Sequence, residues 1–278
     1  MPKESKVWLV TGCSRGLGRA IAEALLAAGE RLVATARSVE DLAFLDASDR
    51  LHKVALDVTD ADAARDAVEE AVAAFGRLDV VVNNAGFSQG NSVEDLPEQD
   101  FRKQVEINFF GAYHLAHAAL PVLHAQRAGH IIFVASIGAR VAIPGFGAYQ
   151  AGKAAVGALA DTLAAEVAPF GVKVTCLEPG GMRTDMFSSS IVSDSMSPEY
   201  DEIIGTPMRA VFDDKSHATS DPAKVAALIL RIASEPEPPI RLLVGSDAYK
   251  QGTEVLAARL KADERWKALS LSTDYGAT

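Results

Sequence analysis

Cysteine is scarce in these 278 residues: Cys13 and Cys176 are the whole supply, far apart and without metal-ligand spacing. No structural disulfide is expected, and the pattern suits a reducing cytosol. Basic charge is also short, with 27 Lys and Arg against 37 Asp and Glu and a formal net charge of −10. The basic stripe of a nucleic-acid-binding protein is therefore missing. No apolar stretch reaches membrane-spanning length without a charge or a turn residue. The opening Met-Pro-Lys-Glu-Ser-Lys leads straight into a strand, with no apolar h-region before it. A cytoplasmic protein with neither nucleic-acid nor membrane partners is expected. Repeats and low-complexity blocks are absent as well.

What remains is ordinary globular material, 49% hydrophobic and 23% charged. The length fits one large α/β domain, residues 1–278. Short Val/Ile/Leu-rich runs at 7–10, 31–36, 52–56, 78–82, 130–135, 172–177 and 240–244 read as seven strands covered on both faces. Helical patterns lie between them at 16–28, 61–75, 97–125, 149–170 and 222–234. Such alternation predicts a doubly wound parallel sheet. Thr59 is placed to cap the second helix, and Asp221-Pro222 reads as an N-cap followed by proline at the first helical position. The Ser- and Pro-bearing stretch 182–219 breaks the alternation and reads as a substrate-loop insertion. Residues 246–269 form an additional amphipathic helix.

Two segments carry chemistry. Val7–Val10 runs into Thr11-Gly-Cys-Ser-Arg-Gly-Leu-Gly18 and then a helix. A glycine-rich strand-to-helix turn lets backbone approach a pyrophosphate at the helix N-terminus, although three glycines alone also fit a tight turn. Tyr149 and Lys153 stand four apart, on one face of a helix, thirteen residues after Ser136. An ammonium beside a phenol favours the phenolate and lowers its pKa toward a range useful for proton transfer. A serine hydroxyl beside that phenol could hold the oxygen of an alcohol or carbonyl. Taken alone, Tyr-x-x-x-Lys also fits a solvated surface pair.

With these segments in order, the chain resembles the short-chain dehydrogenase/reductase family in its single-domain form, from about Lys6 to Val244. The resemblance implies a Rossmann-type, doubly wound, seven-stranded parallel sheet with helices on both faces. It places the nucleotide loop on Gly12, Ser14, Arg15, Gly16, Leu17 and Gly18, and the residues beside adenine on Asp57 and Val58. Asn84, Ala85 and Gly86 of Asn-Asn-Ala-Gly pass the adenosine ribose, while Asn83 reads as structural. Pro179, Gly180 and Thr184 match the segment at the nicotinamide. The catalytic set implied is Asn108, Ser136, Tyr149 and Lys153. Tyr149 is the acid or base, and Lys153 lowers its pKa and bonds the nicotinamide ribose. Ser136 orients the substrate oxygen, and Asn108 holds a water in a proton relay.

Strand two ends in Arg37 rather than a carboxylate, and Arg15 lies in the glycine loop. Two guanidinium groups suit a 2′-phosphate, so NADP(H) is favoured over NAD(H), unless Arg37 is only a solvated strand end. Around the expected pocket lie Ile137, Val141, Ile143, Pro144, Phe146, Met182, Met186 and Phe187. They suggest an apolar or bulky alcohol or ketone, or else they pack a lid. The segments 34–38 and 179–186 and the added helix look most like the hydroxysteroid- and retinol-dehydrogenase branch.

No metal is required. His114 and His117 are three apart on a helix, but nothing completes a site with them or with His124. Cys13 reads as a space-filler. Alanine-rich faces on helices 97–125 and 149–170 fit a homodimer or homotetramer, or simply reflect helix propensity. A carbonyl reductase or alcohol dehydrogenase is the favoured function. The alternatives are a nucleotide sensor on the same fold, which would be free to lose Ser136, Tyr149 and Lys153, and an epimerase or dehydratase.

Overall fold

The strand Val7–Val10 (β1) is buried at every position. A strand apolar on both sides needs cover on both, and the chain supplies it. The computed structural model describes residues 5–183, 191–192, 195–213 and 218–275. Strands β2 (Arg31–Ala36), β3 (Leu51–Ala55), β4 (Val80–Asn83), β5 (Gly129–Val134), β6 (Val172–Pro179) and β7 (Arg241–Val244) join β1 in one sheet. Their order is β3-β2-β1-β4-β5-β6-β7, and every pairing is parallel.

Alternate residues of each strand feed two separate cores. Val7, Leu9, Val81, Ile131, Phe133 and Val174 pack against α2 (Ala61–Phe75), α4 (Gly111–Gln126) and α5 (Gly147–Val167). Trp8, Val10, Leu32, Val80, Val82 and Leu177 face α1 (Gly16–Ala27) and a later helix, Pro222–Ile232. The helices answer with apolar positions three and four apart, such as Ala64, Ala67, Val68 and Ala71. The sheet is thus doubly wound, with helices on both faces.

Three local readings change. Asp60, not Thr59, caps α2, accepting from the amides of Asp62 and Ala63. Thr59 instead bonds Asp57 Oδ1 through its amide and its hydroxyl; a carboxylate at the cap also gains from the helix dipole. The helix expected over 97–125 is two, α3 (Glu98–Val105) and α4, joined by a wide π-type turn at Glu106–Phe110. Asn108 in that turn sends Nδ2 to the carbonyl of Gln104 at 2.8 Å, competing with the backbone ladder. The helix of Tyr149 begins earlier, at Gly147, and closes through a short turn at Ala168–Phe170 before Gly171 with φ 72°.

Beyond β6 described residues of the insertion reach the cleft at the sheet's carboxyl end. Gln89–Gly90 pairs with Ile191–Val192, and α6 (Thr206–Asp213) follows. Met196, Ile204 and Met208 pack on Phe146 and Tyr200. The last helices are α7 (Pro222–Ile232), capped by Asp221 through the Ala223 amide, and α8 (Ser246–Leu271). Among the described residues no helix is long and apolar enough to cross a membrane.

Candidate active site

The strand order reverses at β1, between β2 and β4, and a cleft of about 1290 Å³ opens at the carboxyl ends there. This switch point is where open parallel sheets bind ligands. Gly12, Ser14, Arg15, Gly16, Leu17 and Gly18 line one end. Gly12 and Gly16 hold φ of 69° and 57°, open to glycine with little strain. A Cβ on Gly18 would run into the Gly12 carbonyl and Asn84 Nδ2. The first turn of α1 has no side-chain cap and no acidic residue, so its amides are left for an anion.

Asn84 laces this loop to the end of β4. Its Nδ2 donates to Thr11 O at 2.8 Å, while the amides of Asn84 and Ala85 both donate to Thr11 Oγ1 at 2.9 Å. Asn83 is buried, and neither polar atom of its side chain finds a partner among the described residues. Arg37, Asp57 and Val58 line the same end, with Ala85 and Gly86. The Asp57 carboxyl is held below its usual range chiefly by the bonds from Thr59, with a smaller pull from Arg37. Arg15 and Arg37 are exposed. Cys13, fully buried, has its thiol pushed up to about 12 by that burial and is inert packing.

At the other end stand Ser136, Ile137, Ile143, Phe146, Tyr149, Lys153 and Met182. Ser136 follows β5 and accepts from the Gly138 amide at 3.0 Å, which leaves its own proton free to be donated. The same side chain sits beside the Tyr149 hydroxyl and lowers that pKa, but burial outweighs it and the phenol lies above its ordinary value. Lys153 is 3% exposed, and burial brings its ammonium down to about 8. These side chains by themselves therefore do not produce the acidified phenol expected from the Tyr-x-x-x-Lys spacing: desolvation dominates both groups. Lys153 Nζ donates to Val134 O at 2.8 Å and lies 5.8 Å from the centre of the Tyr149 ring.

Asn108 is buried behind this wall rather than lining it. Its Nδ2 protons go to the carbonyls of Phe87 and Gln104, and Oδ1 accepts from the Phe87 amide at 3.2 Å. Oδ1 and Lys153 Nζ face one gap beside Gly86, where a Cβ would stand 3.1 and 3.4 Å from them. Pro179 and Gly180 close the cleft at the tip of β6. Thr184, Met186 and Phe187 lie outside the described residues. Val141 does not line the cleft; its carbonyl is taken by the Gln150 side chain, whose Oε1 accepts from the Ile143 amide at 3.2 Å.

Several lining residues escaped the sequence reading. Ile203, Ile204, Pro207 and Met208 come from the insertion, and Phe87 and Lys103 from either side of the turn before α3. Asp247, in the first turn of α8, accepts from the Gly181 amide at 2.7 Å and from the Thr219 hydroxyl at 2.6 Å. The aromatic pairs in the 87 and 146–149 segments were visible as residues, but no spacing rule points to Asp247. Among the described residues no cluster of His, Cys, Asp and Glu is placed to hold a metal. His114 bonds Val58 O, His117 packs on Tyr113 and His124 on Phe170.

Comparison with known proteins agrees with this geometry. The family model described as short chain dehydrogenase matches residues 6–193. The oxidoreductase BOA17 of Botryotinia fuckeliana is 44% identical over 275 residues, covering 97% of this chain and 99% of that protein. A short-chain dehydrogenase from Streptomyces avermitilis superposes with a TM-score of 0.88 at 38% identity, covering 99% of this chain and 100% of that one. A Burkholderia cenocepacia short chain dehydrogenase in complex with NADP gives 0.71 at 28% identity, covering 95% and 98%. A glycine-cradled anion site, a Ser, Tyr and Lys wall and these similarities lead to one conclusion: the chain belongs to the short-chain dehydrogenase/reductase family and is an NAD(P)-dependent oxidoreductase.

Proposed function

We propose that this protein is an NADP(H)-dependent carbonyl reductase or alcohol dehydrogenase acting on an apolar substrate. The observation that carries the reading is the placement of Ser136, Tyr149 and Lys153 together on the wall of a cleft whose far end is the glycine loop. Arg15 and Arg37 favour NADP(H): both are exposed and both line that end of the cleft. A 2′-phosphate there would meet two guanidinium groups, of which Arg37 also has a weak pull on Asp57.

A bound nicotinamide supplies or accepts the hydride. In reduction, the neutral Tyr149 hydroxyl gives its proton to the carbonyl oxygen, and Ser136 donates a hydrogen bond to that same oxygen as charge develops on it. Lys153 holds positive charge near the phenolate left behind. The gap beside Gly86, bordered by Asn108 Oδ1 and Lys153 Nζ, suits a water that returns the proton from solvent. Oxidation reverses each transfer. Ile143, Phe146, Met182, Ile204 and Met208 border the substrate end and favour an apolar group next to the reacting carbon.

The same reading takes the chain to be a cytoplasmic homodimer or homotetramer. Ala151, Ala154, Ala158 and Ala165 are exposed along α5, and Phe110 and Tyr113 are exposed by α4, the surface expected to pair. The function is tested by following NADPH and NADH consumption against a panel of ketones, alongside Tyr149→Phe. Loss of turnover by several orders of magnitude with NADPH binding intact is expected. Unchanged turnover in Tyr149→Phe would refute the assignment.

A further inference from the structure

Glu178 precedes Pro179-Gly180 at the end of β6, and its side chain is 0% exposed. A carboxylate so placed is costly to bury unless it is paired, and a pair adds little net stability over apolar residues of like shape. Two arginines meet it. Arg241 NH1 donates to Oε1 at 2.9 Å, and Arg140 NH2 lies 2.6 Å from Oε2.

Each arginine belongs to a different part of the site. Arg140 ends the short turn Ile137–Ala139 that follows Ser136, and its carbonyl accepts from Arg259 of α8 at 2.8 Å. Arg241, from β7, reaches on to Asp161 of α5 with two bonds, at 2.8 and 2.7 Å. Helix α5 is shaped for that guanidinium: a Cβ on Gly157, one turn past Lys153, would stand 2.7 Å from Arg241 NH1. Through these contacts one carboxylate ties together the turn after Ser136, the helix of Tyr149 and Lys153, and the strand that leads to Pro179-Gly180. None of Arg140, Asp161, Glu178 or Arg241 lines the cleft.

We propose that Glu178, Arg140 and Arg241 form a positioning set that fixes the Ser136 hydroxyl against Tyr149. The inference rests on the reading of Ser136 and Tyr149 as the reacting pair. Arg241 holds Glu178 and Asp161 through directional charged bonds, while Arg140 meets Oε2 as a close ion pair without hydrogen-bond geometry. Charged contacts of this kind set distances that a merely apolar contact would leave loose, and a misplacement near 1 Å costs on the order of a hundredfold in rate.

The test compares full-length wild type, Arg140→Met, Ser136→Ala and the double variant. Arg140→Met takes one of two partners from a buried carboxylate and is expected to cost stability. Thermal melting checks that it is folded at the assay temperature, and Arg140→Lys, which keeps the charge, is measured alongside it and should restore the Tyr149 resonance toward the wild-type position. The first readout needs no substrate: the ring 13Cζ resonance of Tyr149, assigned by its disappearance in Tyr149→Phe. Arg140→Met is expected to move it in the same direction as Ser136→Ala, with the double variant adding nothing. The second readout is turnover of a reducible ketone at saturating NADPH. Arg140→Met should lower kcat by roughly ten- to a hundredfold, with KM and NADPH affinity held within about twofold, and should cost little further in the Ser136→Ala background. A Tyr149 resonance at the wild-type position in Arg140→Met, or losses that add in the double variant, would overturn the proposal. A wild type that reduces no ketone would count against the functional reading instead, and the resonance would still decide this one.

Discussion

Lys153 Nζ lies 5.8 Å from the centre of the Tyr149 ring, and burial drives the two groups toward their neutral forms from opposite sides. The phenol is pushed up from its ordinary value and the ammonium comes down to about 8. At neutral pH the pair is therefore a protonated phenol beside a charged amine, the state from which the proposed mechanism gives a proton to a carbonyl. We expect kcat/KM for ketone reduction to be level near neutral pH and to fall as pH rises through about 8, where Lys153 loses its charge. The midpoint belongs to the coupled pair rather than to one residue. A rate that climbs steadily into alkaline solution would contradict this.

The same burial carries a stability cost. Because the folded pKa of Lys153 lies below the unfolded one, the unfolded chain binds more protons from about 8 to 10.5, and stability rises with pH across that window. Below it the full penalty applies, of the order of 3 kcal/mol. Lys153→Met removes the amine and loses one charged bond to Val134 O, worth about 1.5–3 kcal/mol. The variant should lose turnover yet melt no lower than wild type, and up to about 3 °C higher, at neutral pH, as measured by calorimetry. A lower Tm would mean that the amine is well solvated in the folded protein.

What was legible beforehand follows from distance along the chain. Gly12, Gly16 and Gly18 sit in one turn, and Tyr149 and Lys153 on one helical turn, so their spacing carries the local geometry, while the order of the motifs along the chain is what sets them apart from a plain turn and a surface pair. The doubly wound sheet was legible for a similar reason, since strand and helix periods alternate throughout. Asp247 reaches Gly181 across 66 residues, and Arg241 meets Glu178 across 63, which no local pattern encodes. The upward push on Tyr149 was missed because desolvation belongs to the packing around a group, not to its neighbours in sequence. The break at Asn108 was hidden because an asparagine amide taking the Gln104 carbonyl looks, in sequence, like any polar residue in a helix.

On the proposed NADP(H) reading, cofactor preference turns on Arg37. The residue follows β2 at the mouth of the cleft, close enough to Asp57 to depress its carboxyl slightly. A charged contact to a 2′-phosphate is worth about 1.5–3 kcal/mol. Arg37→Asp should therefore raise KM for NADPH by roughly ten- to a hundredfold while leaving NADH use equal or improved. The kcat/KM ratio of the two cofactors reads this directly. An unaltered ratio would place the phosphate elsewhere, with Arg37 a solvated strand end.

Gly180 and Asp247 are fitted to each other. A Cβ on Gly180 would run into both carboxylate oxygens of Asp247, which are held in place by the Gly181 amide and the Thr219 hydroxyl. The aspartate is short and stands in the first turn of α8, so it cannot swing aside without giving up those bonds. Gly180→Ala should destabilise the protein by about 1–3 kcal/mol, the usual cost of overpacking, and weaken NADPH binding because Gly180 lines the cleft. Asp247→Ala removes the obstacle while losing two hydrogen bonds. If the clash is the cause, the double variant melts higher than the sum of the single losses predicts, and a double-mutant cycle measured by denaturation reports the coupling. Strictly additive losses would show that Gly180 is needed for its backbone and not for the room it leaves to Asp247.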